Sequence, residues 1–207
     1  MVGEGVLAPG TDEAYLEVCH GYVAGRTPSE ALHRFAAQHL LAIAPDELPG
    51  LQARFEATIR AELPAASREL VARHQQAGHL CCIVTTTNEI VALPFARAFG
   101  IPHLLASQPI VDKGRFSGDY HGALCHGAAK VERVEAWLRT RAAQTAGAPN
   151  GPAADAAAGY RQRIFYSDAR SDLPLLEWAD EPVAVRPDPG LRAQAEARGW
   201  RIIDRLE

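Results

Sequence analysis

No apolar run in this chain approaches the roughly 20 residues that a membrane-spanning helix needs. Met1 to Thr11 carries neither a basic start nor an apolar core, so it does not read as a secretory leader. Cysteine is scarce: Cys19, Cys81, Cys82 and Cys125 form no C-x-x-C pair, which argues against a disulfide framework or a zinc ribbon. Cys81 and Cys82 adjoin inside an apolar run, so their side chains are expected on opposite faces of a strand, as small apolar residues in a reducing cytoplasm. The histidines are scattered without an H-E-x-x-H, and no zinc site is expected. Positive charge is not in excess. The net charge of −4 provides no basic field for nucleic acid. There is no internal repeat, and no G-x-G-x-x-G follows any expected strand, which disfavours an unrelated dinucleotide-binding fold. These absences describe a soluble, cytoplasmic chain with neither membrane nor nucleic acid as a partner. Its oligomeric state is open.

What is present is the material of a core. A hydrophobic fraction of 47% in 207 residues suffices to bury one without staples. The length suggests one domain with an insertion, or a core with a small cap. The first third reads as helical. Thr27-Pro28-Ser29-Glu30 resembles a helix start, with Thr27 as cap, Pro28 in the first helical position and Glu30 completing a capping box. Leu32, Phe35, Ala36, Leu40 and Ile43 follow at helical spacing. A second helix begins after Pro45, with Leu48, Leu51, Phe55 and Ile59 on one face. A third runs from Pro64 to Ala77 and stops at Gly78. Residues 1–26 give only a weak signal.

The pattern changes at Leu80. Leu80 to Val84 is a continuous apolar run, as in a buried parallel strand. A helix is expected from Glu89 to Phe99, kinked at Pro94 and ended by Gly100, then a strand from Ile101 to Ala106. Asp112-Lys113-Gly114 between Ile110-Val111 and Phe116 marks a hairpin. Ala128 to Arg141 is amphipathic, with Val131, Val134, Trp137 and Leu138 inward. Residues 142–159, rich in Ala, Gly and Pro, read as a flexible insertion. A strand from Arg163 to Ser167, a helix from Leu173 to Ala179, a strand from Pro182 to Val185, a helix from Leu191 to Arg198 and a strand from Arg201 to Ile203 complete the chain. Strands alternating with helices predict an α/β fold with a parallel sheet.

Ligands of open α/β sheets bind beyond the carboxyl ends of the strands. Two such ends are polar here. Thr85-Thr86-Thr87-Asn88 sits where a strand gives way to a helix. Hydroxyls and orphan amides there suit a phosphate, and they equally suit local helix capping. Asp168-Ala169-Arg170-Ser171-Asp172 places two carboxylates four residues apart at a second strand end. Asp168 has the position of a Mg²⁺ ligand, and Asp172 that of a second ligand or a lysine partner; a capping Asp172 beside a solvated Asp168 is the alternative. Lys130, early in an amphipathic helix, gains meaning only from the other two.

Taken together, Ile83 to Asn88, Pro94 to Gly100, Lys130, Phe165 to Asp168, Asp172 to Leu176 and the ending Ala195 to Trp200 resemble the haloacid dehalogenase superfamily, in its subclass IB, phosphoserine-phosphatase-like branch. The resemblance runs from about Ala24 to the C-terminus. It implies a Rossmann-like parallel sheet with a helical cap and Mg²⁺-dependent hydrolysis of a small phosphorylated substrate. Residue by residue, it implies that Thr85, helped by Thr86, and Lys130 bind the phosphoryl group, and that Asn88 touches substrate. Lys130 and Asp172 would act in catalysis, and Asp168 and Asp172 would hold the metal. It also implies a partial helical cap over residues 1–63 and the α/β core over residues 64–207. Two departures stand out. Ser171 occupies a position where the family usually has Asn. The family also opens on an apolar strand ending in D-x-D-x-T, whose first Asp attacks phosphorus and whose second moves the leaving-group proton. No such stretch occurs here. The expectation is therefore a chain truncated at its start, its central first strand missing, inactive as it stands. A non-catalytic pseudoenzyme or phosphate-ligand or partner-binding module is the alternative.

Overall fold

The computed structural model describes residues 8–41, 43–112, 115–146 and 160–206. It divides into two compact units, Met1–Leu124 and Cys125–Glu207.

The first unit opens with four helices: α1 (Thr11–Val23), α2 (Ser29–Leu40), α3 (Leu48–Glu62) and α4 (Ala65–Gln76). Helix α1 lies where the sequence pattern is weak. The start of α2 differs from expectation: Pro28 is the cap, and no side chain caps the helix. Thr27 instead belongs to the turn from α1, where its N–H donates to the Gly21 carbonyl at 3.1 Å. That approach is tight: a Cβ on Gly21 would lie 2.2 Å from the Thr27 hydroxyl oxygen. Leu40, Ile43 and Leu51 bury together with Phe116, and Leu48 and Ile90 pack against them. Phe55 stays partly exposed and meets Phe95 edge-on, with ring centroids 5.5 Å apart.

Strand β1 (Cys82–Asn88) begins two residues later than expected and runs through the threonines into helix α5 (Glu89–Phe99). Cys81 therefore precedes the strand. Of the cysteines, Cys125 alone is fully buried; the other three are partly exposed. β1 pairs in parallel with β2 (His103–Ser107), the register slipping between Val84 and Asn88. β2 is the only strand neighbour of β1 among the described residues. Helix α5 has the expected bounds, and Gly100 ends it at a φ of 66° that favours glycine. Pro94 lies inside it and has no N–H for the Ile90 carbonyl four residues back. The Gln52 side-chain amide of α3 fills that vacancy, donating to the Ile90 carbonyl at 2.8 Å. At the far end of α5, Arg60 donates to the carbonyls of Arg97 and Ala98. Strands β3 (Pro109–Asp112) and β4 (Arg115–Tyr120) form the expected antiparallel hairpin, with Asp112 opposite Arg115. The Lys113-Gly114 tip lies outside the described residues.

The second unit is built on a three-stranded parallel sheet in the order β5 (Ile164–Ser167), β6 (Glu181–Val185), β7 (Arg201–Ile203). Helix α6 (Ala128–Ala146) precedes it and runs five residues past the expected end at Arg141. Ala142 to Ala146 therefore belong to the helix. The rest of the anticipated insertion lies outside the described residues. Helices α7 (Leu173–Trp178) and α8 (Pro189–Arg198) make the crossovers. Leu176, Ala184, Leu191 and Ala195 form its core, with Phe165, Trp200 and Ile202 against them. At roughly 25 cal/mol per Å² of apolar surface, the fully buried Leu176 and Leu191 side chains contribute about 1.5–3 kcal/mol each. β5 has β6 as its only strand neighbour among the described residues. The α/β class and the parallel pairing agree with the expectation.

Candidate active site

The chemistry-bearing residues fall into two groups, one in each unit. In the second unit the sheet presents the end of β5. Its last residue, Ser167, is buried, Asp168 is exposed just beyond it, and a single 3-10 turn, Arg170–Asp172, leads into α7. The Ala169 carbonyl accepts the Asp172 N–H at 3.0 Å, which turns the Asp172 carboxylate back towards the strand end.

Lys130 is the third residue of α6. The turn at Gly127, with a φ of 53°, starts that helix. Lys130 is only 3% exposed, and its ammonium lies 2.5 Å from Asp172 Oδ1. The other carboxylate oxygen, Oδ2, accepts the Ser167 hydroxyl at 2.8 Å. Both oxygens of Asp172 thus have donors, and the buried ammonium has a counter-ion, which burial requires. An ammonium carries three donors. Only the bond to Asp172 is seen among the described residues, which leaves capacity for an anion. Of the two roles open to Asp172, the geometry displays the lysine partner.

Asp168 differs. It is exposed, and its carboxylate has no hydrogen-bond or ion-pair partner among the described residues. Its peptide is held firmly: the Asp168 carbonyl accepts the Asp188 N–H at 2.8 Å. Among the described residues no three His, Cys, Asp or Glu side chains gather as a metal cluster. The donor set still suits one ion. A lone, outward carboxylate of hard oxygens fits Mg²⁺, which keeps most of its waters and takes few protein ligands.

In the first unit the Thr85 hydroxyl accepts the Thr87 N–H at 3.1 Å. Its own O–H is left to donate. The Thr86 carbonyl accepts the Ser107 hydroxyl at 2.9 Å, which ties the end of β1 to β2. Asn88 is buried and caps α5, its Oδ1 accepting the Val91 N–H at 3.1 Å. That is the capping role that Asn favours. It leaves the side-chain NH₂ as the group that can meet a substrate.

The structure therefore joins Lys130 to Asp172, sets Asp168 at the strand end four residues before Asp172, and keeps Thr85, Thr86 and Asn88 within their own unit. Sequence reasoning misses Ser167. Its only signal is a small hydroxyl at the last position of a buried strand.

The family described as haloacid dehalogenase-like hydrolase matches residues 6–177. The chain is 29% identical over 207 residues to a histidinol-phosphatase of Neisseria meningitidis serogroup C (strain 8013), covering 99% of this chain and 88% of that one. A solved protein of unknown function from Bordetella pertussis Tohama I is 36% identical, with a TM-score of 0.76 over 91% of this chain and 79% of its own. A substrate-bound phosphoserine phosphatase complex, 16% identical, shares the fold with a TM-score of 0.64 over 96% of this chain and 82% of its own.

Proposed function

The chain belongs to the haloacid dehalogenase-like hydrolases, and from that membership we propose a phosphomonoester hydrolase that acts on a small phosphorylated metabolite. The observation that carries the proposal is the buried Lys130–Asp172 pair beside the end of β5. A lysine held charged at a strand end, with donors to spare, is the group to neutralise phosphoryl oxygens. Asp172 and Ser167 fix it in place. In the first unit, the Thr85 O–H and the amides near Thr86 are proposed to bind phosphoryl oxygens, with the Asn88 NH₂ as the group that meets substrate. Asp168 is the residue to hold Mg²⁺, which when bound supplies further positive charge for the phosphoryl oxygens. Helices α1 to α3 are proposed as part of a cap that excludes water and selects the leaving group.

One step lacks a residue. No two aspartates among the 207 residues stand two apart, so no D-x-D exists to supply nucleophile and proton donor. We assign these 207 residues the binding half of the chemistry, without turnover of their own. The same observation favours the second reading, a module that binds phosphate-containing ligands without hydrolysing them.

The test is titration of the 207-residue chain with inorganic phosphate in the presence of Mg²⁺, beside Thr85→Val. Histidinol phosphate, the ester that the Neisseria relative's name points to, is the next ligand to try. Saturable binding weakened by Thr85→Val supports the proposal. Absence of binding, or binding indifferent to Thr85, counts against it.

A further inference from the structure

After β6 the backbone takes an unusual path. Arg186 has a φ of 46°, the only positive φ of a non-glycine residue among those described. Such a conformation costs on the order of 1–3 kcal/mol and persists where the surroundings hold it. Here the Arg186 N–H donates to the Ile203 carbonyl of β7 at 2.8 Å. The twist delivers Asp188, flanked by Pro187 and Pro189, to the loop that follows the neighbouring strand β5.

Besides accepting the helical Arg192 N–H at its carbonyl, Asp188 then makes three hydrogen bonds. One is ordinary: its Oδ1 accepts the Leu191 N–H at 2.8 Å and caps α8. The other two cross to the Asp168 loop. The Asp188 N–H donates to the Asp168 carbonyl at 2.8 Å. Its Oδ2 accepts the Arg170 N–H at 2.6 Å. The Ala169 N–H between them donates to the Ser167 hydroxyl at 3.2 Å. So the peptides on the C-terminal side of Asp168 are tied in succession, by Asp188, Ser167 and Asp188 again. The two loops also touch: a Cβ on Gly190 would lie 2.6 Å from Arg170 Cδ and 3.2 Å from Asp188 Oδ1. A side chain at position 190 would displace the Arg170 side chain.

We propose that Asp188 is a positioning residue that holds the Asp168 carboxylate at the strand end for a hard divalent cation. This rests on the reading of Asp168 given above. Capping does not explain the choice of residue, because Ser or Thr caps a helix about as well with one oxygen. Bridging two loops while capping takes two acceptor oxygens on one short side chain, which is a carboxylate. Groups that hydrogen-bond a metal ligand directly alter affinity by roughly 10–100-fold when removed, and Asp188 acts on the backbone that carries the ligand.

Two substitutions separate capping from positioning. Asp188→Ser keeps a capping oxygen for Leu191 and loses the bond to Arg170; Asp188→Ala loses both. Three quantities are read on the full chain: thermal midpoint, amide exchange at Arg170, and affinity for Mn²⁺ from its paramagnetic broadening. Asp168→Asn is the control for the ion's place. Asp188→Ser is expected to stay near the parent midpoint while Arg170 exchanges faster and Mn²⁺ binds at least roughly 10-fold more weakly. Asp188→Ala is expected to add a loss of midpoint. If Asp188→Ser leaves both Arg170 exchange and Mn²⁺ affinity at parent values, the proposal fails. If the parent shows no Mn²⁺ binding that Asp168→Asn removes, the ion's role at Asp168 fails, and the proposal fails with it as a statement about the ion. Arg170 exchange then still reports separately whether Asp188 holds the loop.

Discussion

The ammonium of Lys130 and the carboxylate of Asp172 meet at 2.5 Å although 42 residues separate them in the chain. Both are buried, at 3% and 7% exposure. An unpaired charge in such surroundings is expensive, whereas the pair as a whole is close to neutral for stability. The pair is therefore better explained by what it holds ready than by what it adds to the fold. It keeps a charged lysine in a dry place where an anion interacts strongly with it.

Removing either partner alone is expected to cost about 3–5 kcal/mol, because the other charge remains buried and unanswered. Lys130→Met and Asp172→Leu are the variants, and urea unfolding is the measurement. The double variant is expected to be clearly more stable than the sum of the single losses implies. Additive losses would mean that the two groups do not interact in solution.

A second cycle tests the repair of α5. Gln52 donates to the Ile90 carbonyl, whose helical donor is missing because residue 94 is proline. Gln52→Ala is expected to cost about 1–3 kcal/mol, the penalty of stranding a partly buried carbonyl. In a Pro94→Ala background the restored backbone N–H at position 94 can serve Ile90, and the same Gln52 change is expected to cost less. An equal cost in both backgrounds would show that Gln52 acts through packing and not through that carbonyl.

A third expectation concerns acid. Asp180 accepts three hydrogen bonds from Arg163, one from its N–H and two from its guanidinium, and these hold its carboxyl down at about 2. The unfolded value is near 3.8, so the folded value is the lower. The stabilisation is then fully present above about pH 4 and is lost as pH falls towards 2. Asp180→Asn is expected to flatten the thermal midpoint against pH in that window. The pair is open to solvent, so added salt should shrink the effect. A parent midpoint that falls no faster than that of Asp180→Asn between pH 4 and 2 would dissolve the link.

The fold is readable where local signals agree. Asn88 at the start of α5 and Gly100 at its end bracket an apolar periodicity, and both bounds come out as expected. Glycine at 78 and 199 marks two more helix ends in the same way. Sequence and structure part where tertiary contacts outweigh local preference. Thr27 has the chemistry of a cap but gives that role up to the turn against Gly21. Tyr15 and Leu16 are large and exposed, so α1 lacks a clean apolar stripe. In the site, Asp168 and Asp172 are legible because a strand end followed by two acids is a compact pattern. Ser167 and Asp188 are not. Their roles lie in hydrogen bonds to a neighbouring loop, and a lone serine or a Pro-Asp-Pro turn gives no sign of its partner.

The last prediction concerns turnover. In the mechanism that the family resemblance implies, an aspartate attacks phosphorus in line, and the Lys130 charge only stabilises what that attack creates. No D-x-D stands anywhere in the 207 residues. A preparation of these residues with Mg²⁺ is therefore expected to release no phosphate from a generic aryl phosphate above the uncatalysed rate. β1 and β5, the strands that lead into Asn88 and Asp168, each have a single strand neighbour among the described residues. An unpaired ladder edge is a template for another strand. An added N-terminal segment consisting of an apolar strand followed by D-x-D-x-T is expected to raise stability and to confer turnover. Changing the first of its two aspartates to Asn should abolish that turnover while keeping the gain in stability. Hydrolysis by the 207 residues alone that Asp168→Asn abolishes would refute the assignment of the missing step. An extension that stabilises the fold but never yields turnover would favour the ligand-binding module.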